Sequence, residues 1–302
     1  MLDTTDAALV RELQRDGRVS YQRLAELLGI SREAARTRVQ RLLQRGSVRI
    51  VGIVPPAVAG IGAVAHVSLE AAGASAPVAA AAAARRAVSF VSCTAGPQAV
   101  VAEVRAADDR ALEVEFAALR GIPGVLRTEV FRCTELVRDA YSPGVPQARD
   151  GEPAKLDQVD RRLLGLLQAD GRASFAALAE RVGLSQPATR ARVLALLEAG
   201  AVHVTGLVES RALGVREAAG TGLGVRGPVR AVALAAAALP GVNYVAAGYG
   251  RFDLVCGVDA ADRAGLLAGL EALRALPGVV RSEAWVHLDI VKESYTYDIP
   301  AE

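Results

Sequence analysis

Residues 156–215 repeat residues 2–61 at a constant offset of 154, with no gap, and 26 of the 60 aligned positions are identical. The shared positions include Asp6/Asp160, Asp16-Gly17-Arg18/Asp170-Gly171-Arg172, Gly29/Gly183, Ser31/Ser185, Arg36/Arg190 and Arg38/Arg192. A register this long does not arise from composition, and it restricts the fold to an architecture built from one unit written twice. The offset persists beyond this stretch: Pro123-Gly124-Val125 becomes Pro277-Gly278-Val279, and Tyr141 becomes Tyr295.

Each repeat starts with helical periodicity. Ala8, Leu9 and Leu13 fall on one face of a first helix over 4–15, with Thr4 or Thr5 as its N-cap. Asp16-Gly17 is expected to end it, glycine taking a left-handed C-terminal turn. Ser20 caps a second helix with Leu24, Ala25, Leu27 and Leu28 inward, and Gly29 turns the chain. Ser31 caps a third, with Glu33 where a negative charge suits the dipole, a buried stripe of Val39, Leu42 and Leu43, and a stop at Gly46. Two helices joined by a glycine turn are a helix-turn-helix signature, and 48–54 reads as a strand leading out.

From residue 61 the period becomes two. Strands are expected at 63–70, 88–94, 99–106 and 125–137, with helices at 76–87 and 108–121: the β-α-β-β-α-β order of a ferredoxin-like sandwich. The second half predicts helices at 158–169, 174–182 and 185–199, a strand at 202–208, then strands at 217–225, 243–248, 252–258 and 279–292 with helices at 229–239 and 262–275. The fold class is therefore α+β: two winged-helix-like helix-turn-helix domains (1–54 and 156–208) alternating with two ferredoxin-like sandwiches (61–141 and 215–297). Residues 142–155, with three prolines and two glycines, read as a linker.

Composition narrows the function. The net charge is only +2, so any nucleic-acid footprint must be local. Aromatics are 4% of the chain, which leaves the cores to Ala, Val and Leu. The acidic, quickly polar N-terminus lacks a signal-peptide pattern, and no apolar run reaches the roughly 18 residues of a spanning helix; a cytoplasmic location without membrane contact is expected. Cys93, Cys133 and Cys256 fit neither a disulfide framework nor a zinc site. His66, His203 and His287 are scattered and read as structural or solvated, so neither a metal nor a cofactor is expected.

The motif LD-x2-D-x-x-L, followed by D-G-R-x-S, L-A, G-(I/L)-S, R-V and a sandwich, resembles the Lrp/AsnC (feast/famine) family of transcriptional regulators, and the likeness covers nearly all of both halves. Members of that family usually carry one such unit and dimerise through the sandwich, so the resemblance implies a covalent pseudo-dimer. It also implies double-stranded DNA as partner, an amino acid or similar small molecule as effector, no enzymatic activity, and a homo-oligomer of two or four two-unit chains.

The two heads differ in charge. Residues 1–50 carry ten Arg against six acids, net +4; residues 156–205 carry six against five, net +1. In and after the third helix, Arg32, Arg36, Arg38, Arg41, Arg45 and Arg49 face only Glu33, whereas the second copy has Gln186, Arg190, Arg192 and His203. The start of a recognition helix reaches base edges. The DNA candidates are Ser31, Arg32, Arg36, Thr37, Arg38 and Arg41 in the first head, and Gln186, Thr189, Arg190 and Arg192 in the second. Arg38 and Arg192 have an alternative role as braces to Asp16 and Asp170, and Arg45 and Arg49 can simply be solvated.

The resemblance places the effector near the hairpin between the second and third sandwich strands, where the family pattern is G-x-x-D. In Ala247-Gly248-Tyr249-Gly250-Arg251-Phe252-Asp253, Gly250 and Asp253 fit that pattern. Close glycines can offer N–H groups to a carboxylate, and Asp253 could pair an α-amino group. Gly248, Tyr249, Gly250 and Asp253 are the effector candidates; a plain tight hairpin is the competing explanation. The first copy has Gly96, Pro97 and Ala99 there, with no Asp. Two rival functions share the scaffold: a tetrapyrrole enzyme of the sirohaem-decarboxylase kind, and an assembly protein whose second DNA reader has decayed.

Overall fold

The computed structural model describes residues 2–96, 98–139, 156–208, 214–297 and 299; the linker expected at 142–155 lies outside them. The first head is built of α1 (Thr4–Arg15), α2 (Tyr21–Leu28), α3 (Arg32–Gln44) and β1 (Val48–Ile53). After the first sandwich, the second head follows as α6 (Gln158–Ala169), α7 (Phe175–Val182), α8 (Gln186–Glu198) and β6 (His203–Val208). The caps explain the helix starts. Ser20, Ser31, Ser174 and Ser185 each accept the N–H of the residue three positions on, and each such cap contributes about 1 kcal/mol. Asp3, not Thr4 or Thr5, caps α1 by accepting the Asp6 N–H, and its counterpart Asp157 forms a reciprocal capping box with Asp160. Gly29 and Gly183 make the turns at φ of +64° and +73°.

Like pairs with like. The chain divides into one unit of Met1–Gly60, Tyr141–Gly214 and Thr296–Glu302, and another of Ile61–Ala140 and Val215–Tyr295. The first unit therefore joins the two heads. β1 and β6 form a two-stranded antiparallel sheet in which Val51 opposes its own equivalent, Thr205, so a pseudo-two-fold relates the copies. The contacts beside it are reciprocal: the Gly17 N–H donates to the Val204 oxygen (2.7 Å) and the Gly171 N–H to the Ile50 oxygen (2.9 Å). Arg18 donates to the oxygens of Gly171 and Ala173 and lies 5.0 Å from the Phe175 ring centre. Arg172 donates to the Val19 oxygen and lies 5.0 Å from that of Tyr21.

This seam corrects the expected role of Gly17. It is not in the left-handed region; α1 ends in extended backbone at Asp16. A Cβ at Gly17 would instead sit 2.8 Å from side-chain carbons of Ile50 and Val204, and one at Gly171 would sit 2.7 Å from Val204. Glycine is required because the opposite copy's strand passes too close for any side chain.

The second unit joins the sandwiches. The first comprises β2 (Ala63–Ala71), α4 (Ser75–Ala83), β3 (Val88–Ala95), β4 (Val100–Ala106), α5 (Asp109–Arg120) and β5 (Val125–Asp139). The second comprises β7 (Glu217–Val225), α9 (Val229–Ala237), β8 (Val242–Gly250), β9 (Leu254–Ala260), α10 (Arg263–Arg274) and β10 (Val279–Glu293). Their sheets, β3-β4-β2-β5 and β8-β9-β7-β10, join through β5–β8 and β10–β3 into a closed eight-stranded barrel, which leaves no edge strand. Alternation assigns the two faces of each sheet. Ala63, Ala65, Val67 and Leu69 of β2 pack in the first sandwich core with Val78, Ala79 and Leu112 of its helices. A further cluster across the barrel contains Val101, Phe131, Cys133, Ala246, Phe252, Val255 and Trp285. The three cysteines are free and buried on β3, β9 and β5. Burial pushes the Cys133 and Cys256 thiols up to about 12.

Candidate nucleic-acid interface and effector hairpin

On α3 the inward stripe is Ala35, Val39 and Leu42. That leaves Ser31, Arg32, Arg36 and Thr37 exposed on the outward side. The Ser31 hydroxyl already accepts the Ala34 N–H at 3.1 Å. Among the described residues Arg32, Arg36, Arg45 and Arg49 are exposed and make no ion pair, so their guanidinium groups are available to phosphates or base edges.

Arg38 and Arg41 are committed elsewhere. Arg38 reaches Asp3 (2.7 Å) and Asp6 (2.8 Å), and Arg41 reaches Asp6 (2.7 Å). The hydrogen bond from Arg38 holds the Asp3 carboxyl below its usual range and raises the Arg38 guanidinium in turn. The brace anticipated for Arg38 exists, but its partners are the acids that start α1 rather than Asp16. Arg192 repeats it with Asp157 (2.6 Å) and Asp160 (2.9 Å), not Asp170. Both arginines stiffen the placement of the recognition helix against the first helix.

Gln186 and Arg190 are exposed on α8. Thr189 is not: it is fully buried, because Thr189, Val193 and Leu196 follow the i, i+4, i+7 spacing of the inward stripe. It cannot contact a base, and it aligns with Ala35, not with Thr37. Where α3 shows Thr37 and Gln40, α8 exposes Ala191 and Leu194.

The effector hairpin has a different internal economy from the one its sequence suggested. The Gly248 N–H donates to the Asp253 oxygen (3.1 Å), and the Asp253 carboxylate accepts the Val225 N–H (2.7 Å). A Cβ at Gly248 would overlap the Arg132 oxygen, and one at Gly250, where φ is +135°, would overlap the Val130 oxygen. These glycines let β5 run beside β8 and, at Gly250, supply a positive φ. Tyr249 is 61% exposed. The residue that sequence reasoning missed is Arg251. It binds both Glu129 and Glu283, which are equivalent residues of the two copies, and the hydrogen bond it donates to Glu129 raises its guanidinium. The repeat offset marks Glu129 and Glu283 as equivalent residues but carries no sign that both meet Arg251. The first copy has Pro97 at this position, outside the described residues.

A second polar group is buried in the barrel. The Tyr244 hydroxyl donates to Glu103 (3.0 Å) and meets His66 Nε2 (2.8 Å), while Arg105 and Ser89 reach the other Glu103 oxygen at 2.5 and 2.7 Å. Burial alone would raise the Glu103 carboxyl, but Arg105, His66 and Ser89 bring it down to about 2. Desolvation lowers His66 and takes His287 down to about 4. His287 stands edge-on to Phe90, and its buried Nδ1 has no hydrogen-bond partner among the described residues. Two of the three scattered histidines thus share one barrel, whereas His203 lies in the unit of the heads.

The family model for the AsnC-type helix-turn-helix domain matches residues 2–43 and 156–197. The HTH-type transcriptional regulator Rv2324 of Mycobacterium tuberculosis is 36% identical over 137 residues, which are 44% of this chain and 93% of that protein. The HTH-type transcriptional regulator FL11 of Pyrococcus abyssi is 27% identical over 141 residues, 46% of this chain and 93% of that one. Such relatives span one unit. The sirohaem decarboxylase NirDL matches the two-unit arrangement, at a TM-score of 0.69 over 96% of this chain and 93% of that one, but at 15% identity the likeness is one of fold. The paired head matches and the nearly full-length match to Rv2324 place the chain in the Lrp/AsnC family of helix-turn-helix transcriptional regulators, with two family units in one polypeptide.

Proposed function

We propose that the chain binds double-stranded DNA sequence-specifically, with α3 as the stronger reader and α8 as the weaker, and that it is not an enzyme. The observation that carries the DNA-binding reading is the outward face of α3, where Arg32 and Arg36 stand exposed and unpaired while Arg38 and Arg41 fix the helix from behind. Phosphate neutralisation supplies most non-specific affinity, and an Arg bidentate to guanine contributes about 1–3 kcal/mol of discrimination. Arg36→Ala is expected to weaken operator binding by about 1–3 kcal/mol, and Arg190→Ala by less. Titrations at matched salt check this; equal losses would remove the ranking of the heads.

An amino acid or related small molecule at the sandwich hairpin belongs to the same reading. Tyr249 presents its ring there, while a ligand amine would have to share Asp253 with the Val225 N–H. Thermal-shift screening against the amino acids, repeated on Asp253→Asn, tests it. Each chain already pairs its heads and closes its barrel, so assembly into dimers or tetramers of chains would use other surfaces; native mass spectrometry decides the number.

One observation favours a second reading. NirDL, whose structure has also been solved with an iron-uroporphyrin III analogue, shares this fold at a TM-score of 0.70. The barrel here holds His66, Tyr244, Glu103, Arg105 and His287. A Soret band on mixing the purified chain with an iron porphyrin would support a tetrapyrrole enzyme.

A further inference from the structure

We infer that the chain reads a non-palindromic duplex in one fixed orientation, with a guanine-bearing half-site under α3 and an A·T-bearing half-site under α8. The inference rests on the DNA-binding function proposed above. The backbone arrangement is symmetric: Val51 pairs with Thr205, and the Gly17–Val204 bond is answered by Gly171–Ile50. The braces are symmetric too, Arg38 to Asp3 and Asp6, Arg192 to Asp157 and Asp160. A frame like this presents both recognition helices to a duplex in equivalent ways, as a homodimer does to a palindrome.

The side chains on that frame are unlike. Ser31 and Arg36 recur as Ser185 and Arg190, but Arg32 becomes Gln186, Thr37 becomes Ala191 and Gln40 becomes Leu194. All six of these last residues are exposed. Their chemistry selects different base edges in the major groove. Arg donates two parallel bonds to guanine O6 and N7. Gln both donates to and accepts from adenine N7 and N6. Ala and Leu offer apolar contact to the thymine methyl group. Leu194, 40% exposed, and Ala191 thus gain a thymine-facing purpose beside an adenine-reading Gln186. The two heads are fixed in one-to-one ratio within one chain, so their order on the duplex is fixed as well.

Selection of bound duplexes from a random pool with the full chain tests this. The expected result is a bipartite motif with unlike halves, one carrying guanine and the other adenine and thymine. Duplexes rebuilt as first–second, first–first and second–second halves should then bind best in the mixed order. Arg32→Gln should move the first half from guanine toward adenine, and the double variant Gln186→Arg with Leu194→Gln should turn the motif toward a palindrome. Each switched base pair should change preference by about 5- to 150-fold, the equivalent of 1–3 kcal/mol. All these positions are exposed, so folding is not at stake. A palindromic motif, or enrichment of a single half-site, overturns the inference and leaves DNA binding intact. No enrichment of any sequence overturns DNA reading itself, and the inference with it.

Discussion

Compare the face by which the two heads meet with the face they turn outward. At the meeting face the groups that make the reciprocal contacts are retained, Gly17 and Gly171, Arg18 and Arg172, with Tyr21 and Phe175 as near-equivalents under the guanidinium groups, while the paired strands change mainly among β-branched and aliphatic residues, Ile50 to Val204 and Val51 to Thr205. At the outward face only Ser31/Ser185 and Arg36/Arg190 are retained, while Arg32, Thr37 and Gln40 give way to Gln186, Ala191 and Leu194. A residue at a two-fold seam touches the equivalent neighbourhood of the other copy, so a change there must suit both sides at once. A residue on the outward face is free of that constraint. The sandwiches show the same split. Their strands pair reciprocally, yet His66, Glu103, Arg105 and Tyr244 stand opposite Gly220, Gly257, Asp259 and Phe90 in the repeat. One half of the barrel is polar and hydrogen-bonded; across it Gly220 and Gly222 make room for Trp285 and Phe252.

The polar half offers the harshest way to break that comparison. Glu103 is buried and ties together Arg105, Tyr244 and Ser89. Glu103→Leu removes the shared acceptor and takes from Arg105 the carboxylate it pairs with inside the barrel. Breaking one partner of a buried pair costs about 3–5 kcal/mol, and a urea unfolding curve of the full chain should show a loss of that order. A loss below about 1 kcal/mol would mean that the cluster is solvated rather than a structural knot.

Next in size is the seam between the heads. Gly17→Val and Gly171→Val each force atoms into Ile50, Val51 or Val204, and overpacking of this kind costs about 1–3 kcal/mol. Because the contacts are reciprocal, the two variants should unfold with similar midpoints. Unequal losses would show that the seam is less symmetric than its hydrogen bonds indicate.

Much of this was legible in the chain. The 3.6-residue stripes gave α3 and α8 to within a residue or two, and the period-two stretches gave every sandwich strand. Serine caps and αL glycines were legible too, since each acts within four residues. What escaped depended on partners far away. Gly17 looked like a helix stop because its true neighbours, Ile50 and Val204, lie 33 and 187 positions on. A linear pattern does not rank Asp16 against Asp3 and Asp6 as the partner of Arg38, since all three acids belong to one helix and its caps. Thr189 is the exception: its polarity suggests an exposed contact, but the inward stripe it shares with Val193 and Leu196 lies within its own helix. Alternation along the chain suggested four successive domains, whereas complementary faces brought head to head and sandwich to sandwich. Arg251 could not be read as the link between Glu129 and Glu283 without knowing that β5 and β10 both come to one hairpin.

The smallest expected effect sharpens the comparison inside the barrel. His287 occupies the position that Cys133 holds in the first copy. Desolvation takes its imidazole from the usual 6.5 to about 4, so the folded chain keeps it neutral where the unfolded chain would protonate it. Between those two values the unfolded state binds more protons, so stability falls as pH drops from about 6.5 toward 4 and is fully present above it. His66 is lowered as well and adds to the same trend. His287→Cys makes the two copies alike at this position and should remove roughly 1–2 kcal/mol of the stability lost between pH 7 and pH 5, leaving the share that belongs to His66. Paired urea curves at the two pH values measure it. An unchanged acid dependence in the variant would mean that His287 stays hydrated and that the barrel's acid response resides on the side of His66 and Glu103.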